Sequence, residues 1–164
     1  MKQQPAITVI TTGGTIDKAY FDALSTYQVG EPVVRRMLDV ARVGEQVSII
    51  ELFRKDSLEL TDADREVLRE RVAAEPAQRI VITHGTDTMV QSAAVLQPIA
   101  GKTIVFTGAL APARFAESDA SFNLGMAFAA VQTLPPGVYV AMSGQVFAAD
   151  AVRKDRAQGR FVAC

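Results

Sequence analysis

The side chains able to do chemistry in this chain are mostly hydroxyls, carboxylates and lysines, and they come in short runs. Thr12-Gly13-Gly14-Thr15 sets two threonines around a glycine pair. Adjacent glycines let the backbone turn sharply and approach a ligand, with amide N–H groups free to face a carbonyl oxygen. Thr15 would then hold its hydroxyl in the same crevice, although a plain turn capped by threonine uses the same four residues. His84-Gly85-Thr86-Asp87-Thr88 is the second run. Thr86 offers another hydroxyl, and Asp87 either caps a following helix or accepts from a ligand ammonium group. A hydroxyl is a weak nucleophile at neutral pH and needs a neighbour to take its proton. His84 is available, but a lone histidine at a strand end reads first as a hydrogen-bonded structural residue, which leaves lysine, tyrosine or carboxylate. Lysine serves only if burial or a nearby cation destabilises its ammonium form.

Other chemistries are excluded by what the chain lacks. One cysteine, Cys164, and one histidine, His84, cannot build a disulfide, a thiolate cage or a multi-histidine zinc site. No Asp/Glu spacing suggests a calcium or magnesium loop. Gly101-Lys102-Thr103 precedes a strand and has Leu96 where a phosphate-binding loop needs its first glycine. Ser143 in Ala141-Met142-Ser143-Gly144-Gln145 lacks the outer glycines of a nucleophile elbow. With 17 Lys+Arg, 18 Asp+Glu and a net charge of −1, no basic field favours nucleic acid or a membrane surface. Residues 1–5 (MKQQP) are too short and polar for a secretory signal, and a cytoplasmic location is expected.

The elements that must position these residues alternate. Residues 7–12, 46–53, 79–83, 103–107 and 138–142 are β-branched or apolar runs that read as strands. Residues 33–43, 61–74, 87–96 and 119–134 read as helices, the second with Thr61 as its cap and acidic Asp62 and Asp64 in its first turn. Near-continuous apolar strands belong to a sheet covered on both faces. The 164 residues therefore predict one domain, an α/β doubly wound fold with a mostly parallel five-stranded sheet, flavodoxin-like, with helices on both faces. Ligands in such sheets lie beyond the carboxyl ends of the strands. Both threonine runs follow strands, as do Arg54-Lys55-Asp56-Ser57, Gly108-Ala109 and Ser143-Gly144-Gln145. Residues 17–30 (DKAYFDALSTYQVG) form a connection long enough for a lid. Residues 145–164 show no clean period and by composition alone read as a frayed tail.

Thr12-Gly13-Gly14-Thr15-Ile16 together with Ile82-Thr83-His84-Gly85-Thr86-Asp87-Thr88-Met89 resembles the bacterial-type L-asparaginases. Phe106-Thr107-Gly108-Ala109 and residues 146–154 (VFAADAVRK) extend the likeness, which covers only the N-terminal domain of the usual family member. The resemblance implies hydrolysis of L-asparagine to L-aspartate and ammonia through a threonine acyl-enzyme, without metal or cofactor. It assigns Thr15 as nucleophile, Thr86 as the second catalytic threonine, and Lys154, in the segment 145–164, as the lysine bonded to it. Asp87 would bind the substrate α-ammonium, and Tyr20 would be the lid tyrosine. The Ala109 carbonyl would meet the side-chain amide, and amides near Gly14 and Thr86 the oxyanion. Where the family carries Ser-Gln-Asp after the second strand, alignment on Asp56 puts Arg54 and Lys55. Asp56 and Ser57 are then expected to contact the amino acid, and Lys55 to pair with its α-carboxylate. Without the second domain, the site is expected to come largely from one chain, within a homodimer or homotetramer. A glutaminase or amidotransferase-type ammonia-releasing amidohydrolase, and a non-catalytic amino-acid-binding module, are the alternatives.

Overall fold

The computed structural model describes residues 6–164; residues 1–5, read above as no secretory signal, lie outside the described residues. Its centre is a sheet of β1 (Ile7–Gly13), β4 (Val47–Lys55), β5 (Arg79–Thr83), β6 (Thr103–Thr107), β7 (Gly137–Met142) and β8 (Gln145–Ala148), in the order β4-β1-β5-β6-β7-β8. The first five of these are parallel, in the expected doubly wound arrangement. β8 is an addition to the five strands expected: it runs antiparallel along the β7 edge. Ser143 and Gly144 form the two-residue turn, with φ of 54° and 75°, so they make a hairpin instead of a crevice wall.

Alternating strand residues feed two cores. On one face Ile10, Ile82 and Phe106 pack with Leu68 and Val72 of α2 (Asp62–Ala74) and Met89 and Ala93 of α3 (Met89–Leu96). On the other, Val9, Val81 and Val105 pack with Val34 and Leu38 of α1 (Val34–Val40) and Leu124 and Phe128 of α4 (Ala120–Thr133). α2 starts as its sequence demands: Thr61 accepts from the Asp64 N–H while the Asp64 side chain accepts from the Thr61 N–H.

Two segments without sequence period are ordered by pairing. Within residues 17–30, β2 (Lys18–Phe21) and β3 (Thr26–Val29) form an antiparallel hairpin beside the main sheet. The segment read by composition as a tail continues past β8 into the hairpin of β9 (Val152–Asp155) and β10 (Arg160–Ala163). Val152 and Phe161 are buried in the first core, and the Phe161 N–H donates to Ser143 Oγ.

Candidate active site

The carboxyl ends of β1, β4, β5 and β6 meet at one place, packed backbone against backbone. Gly13 and Gly14 have φ of 102° and 88°, a region that favours glycine. A Cβ on Gly14 would collide with the Gly85 backbone, one on Gly85 with Ser57, and one on Gly108 with the His84 carbonyl. The Gly14 N–H donates to the Lys55 carbonyl at 2.9 Å, so this amide is engaged within the protein and is not left to face an oxyanion. Thr15, half-buried, opens the single turn Thr15–Asp17. That turn is seated on a small cluster of Ile16, Val33, Ala109 and Ala120.

The C-terminal hairpin delivers Lys154. Its Nζ donates to Thr86 Oγ1 at 2.7 Å and to Asp87 Oδ1 at 2.8 Å. Pairing of Lys154 with buried Phe161 holds the lysine strand against the core, which fixes where its ammonium can reach. Arg156 approaches the same Asp87 oxygen at 3.6 Å. Asp87 is not the cap of α3: Thr88 occupies that position, and its hydroxyl donates to the Ser57 carbonyl at 2.8 Å. Ser57 is buried against Gly85, which brings the loop after β4 onto the loop after β5.

Lys55 departs from expectation. Its ammonium lies on both oxygens of Asp64, at 3.1 and 3.0 Å, and is engaged at the start of α2 in place of being free for a substrate carboxylate. The β1–β4 pairing is irregular between Thr11 and Gly13, whose partners step from Glu51 to Lys55. Asp56 accepts the Leu58 N–H on Oδ1 and the Lys18 ammonium on Oδ2 at 3.1 Å. Burial acts to raise its pKa, but the Leu58 N–H and Lys18, with the charge of Lys154 further off, hold it below the ordinary carboxylate value. Tyr20 is half exposed on β2, its ring centroid 5.2 Å from that of Tyr27, and Tyr27 in turn meets Phe115 edge-on.

His84 is structural. Fully buried, its Nδ1 bonds the Gly85 carbonyl at 2.6 Å and its Nε2 bonds Ser92 Oγ at 2.7 Å. Burial drives its pKa down to about 4, which keeps the ring neutral.

Four residues, Asp119, Asn123, Asp17 and Lys18, went unremarked in the sequence. Asp119 accepts the Leu110 and Ala111 N–H groups and an Asn123 amide hydrogen, while Asn123 also donates to the Gly108 carbonyl. Together they fix the loop that carries buried Ala109. Asp17 is 1% exposed at the root of the β2–β3 hairpin. Its Oδ1 accepts the Val33 N–H, its Oδ2 has no partner among the described residues, and burial raises its pKa to about 6. Lys18 joins the hairpin to Asp56. Only Asp119 carried a sequence signal, its place ahead of an apolar helix.

Among the described residues, no group of three or more His, Cys, Asp or Glu could hold a metal ion. No described helix is long and apolar enough to cross a membrane.

The glutaminase-asparaginase of Acinetobacter glutaminasificans is 31% identical over 162 residues, covering 90% of this chain and 49% of its own length. A glutamyl-tRNA(Gln) amidotransferase chain of Methanococcus vannielii is 29% identical over 149 residues, covering 85% of this chain and 34% of its own. The crystal structure of L-asparaginase I from Vibrio cholerae superposes with a TM-score of 0.84 at 25% identity, covering 98% of this chain and 52% of that one. The chain spans about half the length of these relatives or less. The family model described as "Asparaginase, N-terminal" matches residues 6–161. With its doubly wound sheet and the Thr86–Lys154–Asp87 cluster at the strand ends, the chain belongs to the asparaginase family, by its N-terminal domain.

Proposed function

We propose that this chain hydrolyses the side-chain amide of L-asparagine, giving L-aspartate and ammonia. The observation that carries the reading is the Lys154 ammonium bonded at once to a buried threonine hydroxyl and to the Asp87 carboxylate at the crevice. Such a trio organises a hydroxyl and its proton traffic where the weak nucleophilicity of an alcohol needs help. In this mechanism Thr15 Oγ attacks the carboxamide carbon and its proton passes toward the Thr86–Lys154 pair. The amide nitrogen takes a proton and leaves as ammonia. Water then cleaves the Thr15 ester to release aspartate. The oxyanion of each tetrahedral step is assigned to the N–H groups of Thr15 and Thr86, the Gly14 amide being engaged by Lys55. One such donor is worth about 3 kcal/mol to the transition state. Asp87 receives the substrate α-ammonium on Oδ2, because Lys154 and Arg156 both lie on Oδ1. The β2–β3 hairpin with Tyr20 excludes bulk water over the crevice.

Steady-state ammonia release from asparagine and from glutamine, for the natural protein and for Thr15→Ala, tests this. The expected result is release from asparagine that Thr15→Ala abolishes with the fold intact by far-UV circular dichroism. A Thr15→Ala protein that releases ammonia at the natural rate overturns the assignment. A natural protein that acts on glutamine alone replaces the substrate.

A further inference from the structure

An α-amino acid brings a carboxylate as well as an ammonium, and the cation expected to meet it, Lys55, is engaged by Asp64. The other basic groups nearby are committed as well. Arg54 lies on Glu51, and Arg114 donates to the carbonyls of Asp17 and Glu31. Lys154 is divided between Thr86 and Asp87, and Arg156 shares that same carboxylate. Lys18 differs: its recorded partner among the described residues is the single Oδ2 of Asp56, and an ammonium has three donors.

Position supports a role for it. Asp56 lies between Lys55, whose carbonyl holds the Gly14 N–H, and Ser57, which is packed on Gly85 next to Thr86. The charge of Lys154 is felt at Asp56, so the two ion pairs share one neighbourhood. Both oxygens of Asp56 are taken, which suits it to hold a cation in place and not to receive a second one. Lys18 and Asp56 are each about 30% exposed at the side chain, open enough for a small ligand to reach.

We propose that Lys18, aimed by Asp56, receives the α-carboxylate of the substrate, so that the amino acid is held between Lys18 and Asp87 at its two charged groups. Because Lys18 stands on β2, filling the site ties the hairpin down. This rests on the amidohydrolase reading above and goes beyond it by naming the group that selects α-amino acids over simple amines and amides.

The test compares L-asparagine with 3-aminopropanamide, which is asparagine without its α-carboxylate. Lys18→Met is expected to lower kcat/KM for asparagine about 10- to 100-fold, the range for a charge-assisted hydrogen bond, chiefly through KM. The same variant should leave 3-aminopropanamide nearly unchanged, and Lys18→Arg should recover most of the loss. An equal fall for both compounds, or no fall, overturns the proposal. Calorimetric titration of the natural protein with L-aspartate and with β-alanine, which lacks the α-carboxylate, decides the matter without any variant. Tighter aspartate binding that Lys18→Met abolishes supports the proposal, and equal binding of the two overturns it. A natural protein that releases no ammonia from asparagine refutes the amidohydrolase reading, and the titration still decides the role of Lys18.

Discussion

Two buried groups, Asp17 and His84, should make stability depend on pH in opposite directions over the same range. His84 has a pKa of about 4 in the fold against an ordinary 6.5, so the unfolded chain binds its proton first as pH falls. The fold then loses up to about 3 kcal/mol between pH 6.5 and 4, each pKa unit being worth about 1.4 kcal/mol. Asp17 has a pKa of about 6 against an ordinary 3.8, so here the folded chain binds the proton first. Its contribution is fully present below about pH 3.8 and is lost as pH rises through about 6, again about 3 kcal/mol. Burial is the larger cause for Asp17; the Val33 N–H and the charges of Arg114 and Arg54 oppose it, and Glu51 reinforces it. Asp17→Asn keeps an acceptor for the Val33 N–H and removes the charge. The stability of this variant minus that of the natural protein is expected to grow by about 2 kcal/mol from pH 4 to pH 6.5. Other titrating groups contribute equally to both proteins and cancel. Urea denaturation followed by circular dichroism at half-unit pH steps measures the difference. A gap that stays constant within about 0.5 kcal/mol across that range would refute the argument that Asp17 is held uncharged by burial.

Lys154→Met should lower kcat for ammonia release by a factor of about 10² to 10⁴, the range for a positioned proton-transfer group, with a smaller change in KM; single-site steady-state kinetics checks it. Gly14→Ala forces a Cβ into the Gly85 backbone at a φ of 88°. A loss of about 3 kcal/mol or more is expected, seen as a fall in Tm of about 6 °C or more in scanning calorimetry. Thr61→Ala removes the oxygen that accepts the Asp64 N–H at 3.1 Å. It should cost about 1 kcal/mol in urea denaturation and leave the kinetics unchanged.

The parts of the fold legible in the sequence are those with a strong local pattern. Short β-branched runs such as Ile80-Val81-Ile82 suit strands buried on both faces, and Thr61 with Asp64 marks a helix start without any tertiary help. Thr15, Thr86 and Asp87 stood out as candidates because they are polar residues soon after such strands, while the roles expected of them, and of Lys154, came from the family resemblance. The four-residue strands of the two small hairpins carry no usable period, since Tyr20 and Tyr27 are both exposed and their pairing supplies the order. Lys55 was misdirected because its ammonium is claimed by Asp64 at the start of α2, a pairing that the run Arg54-Lys55-Asp56-Ser57 does not encode. Lys18 and Asp56 meet through the path of the hairpin alone.

A crevice whose base is main chain at Gly14, Gly85 and Gly108 has no rotamers there to rearrange and no side chain there to exchange. Variation among descendants of this domain is therefore channelled into the rim, above all the hairpin with Lys18 and Tyr20, since the segment pinned by Asp119 and the strand carrying Lys154 are themselves held in place. Redesign toward a bulkier amide should begin with that movable wall, because any library that diversifies the glycines will return mostly unfolded protein.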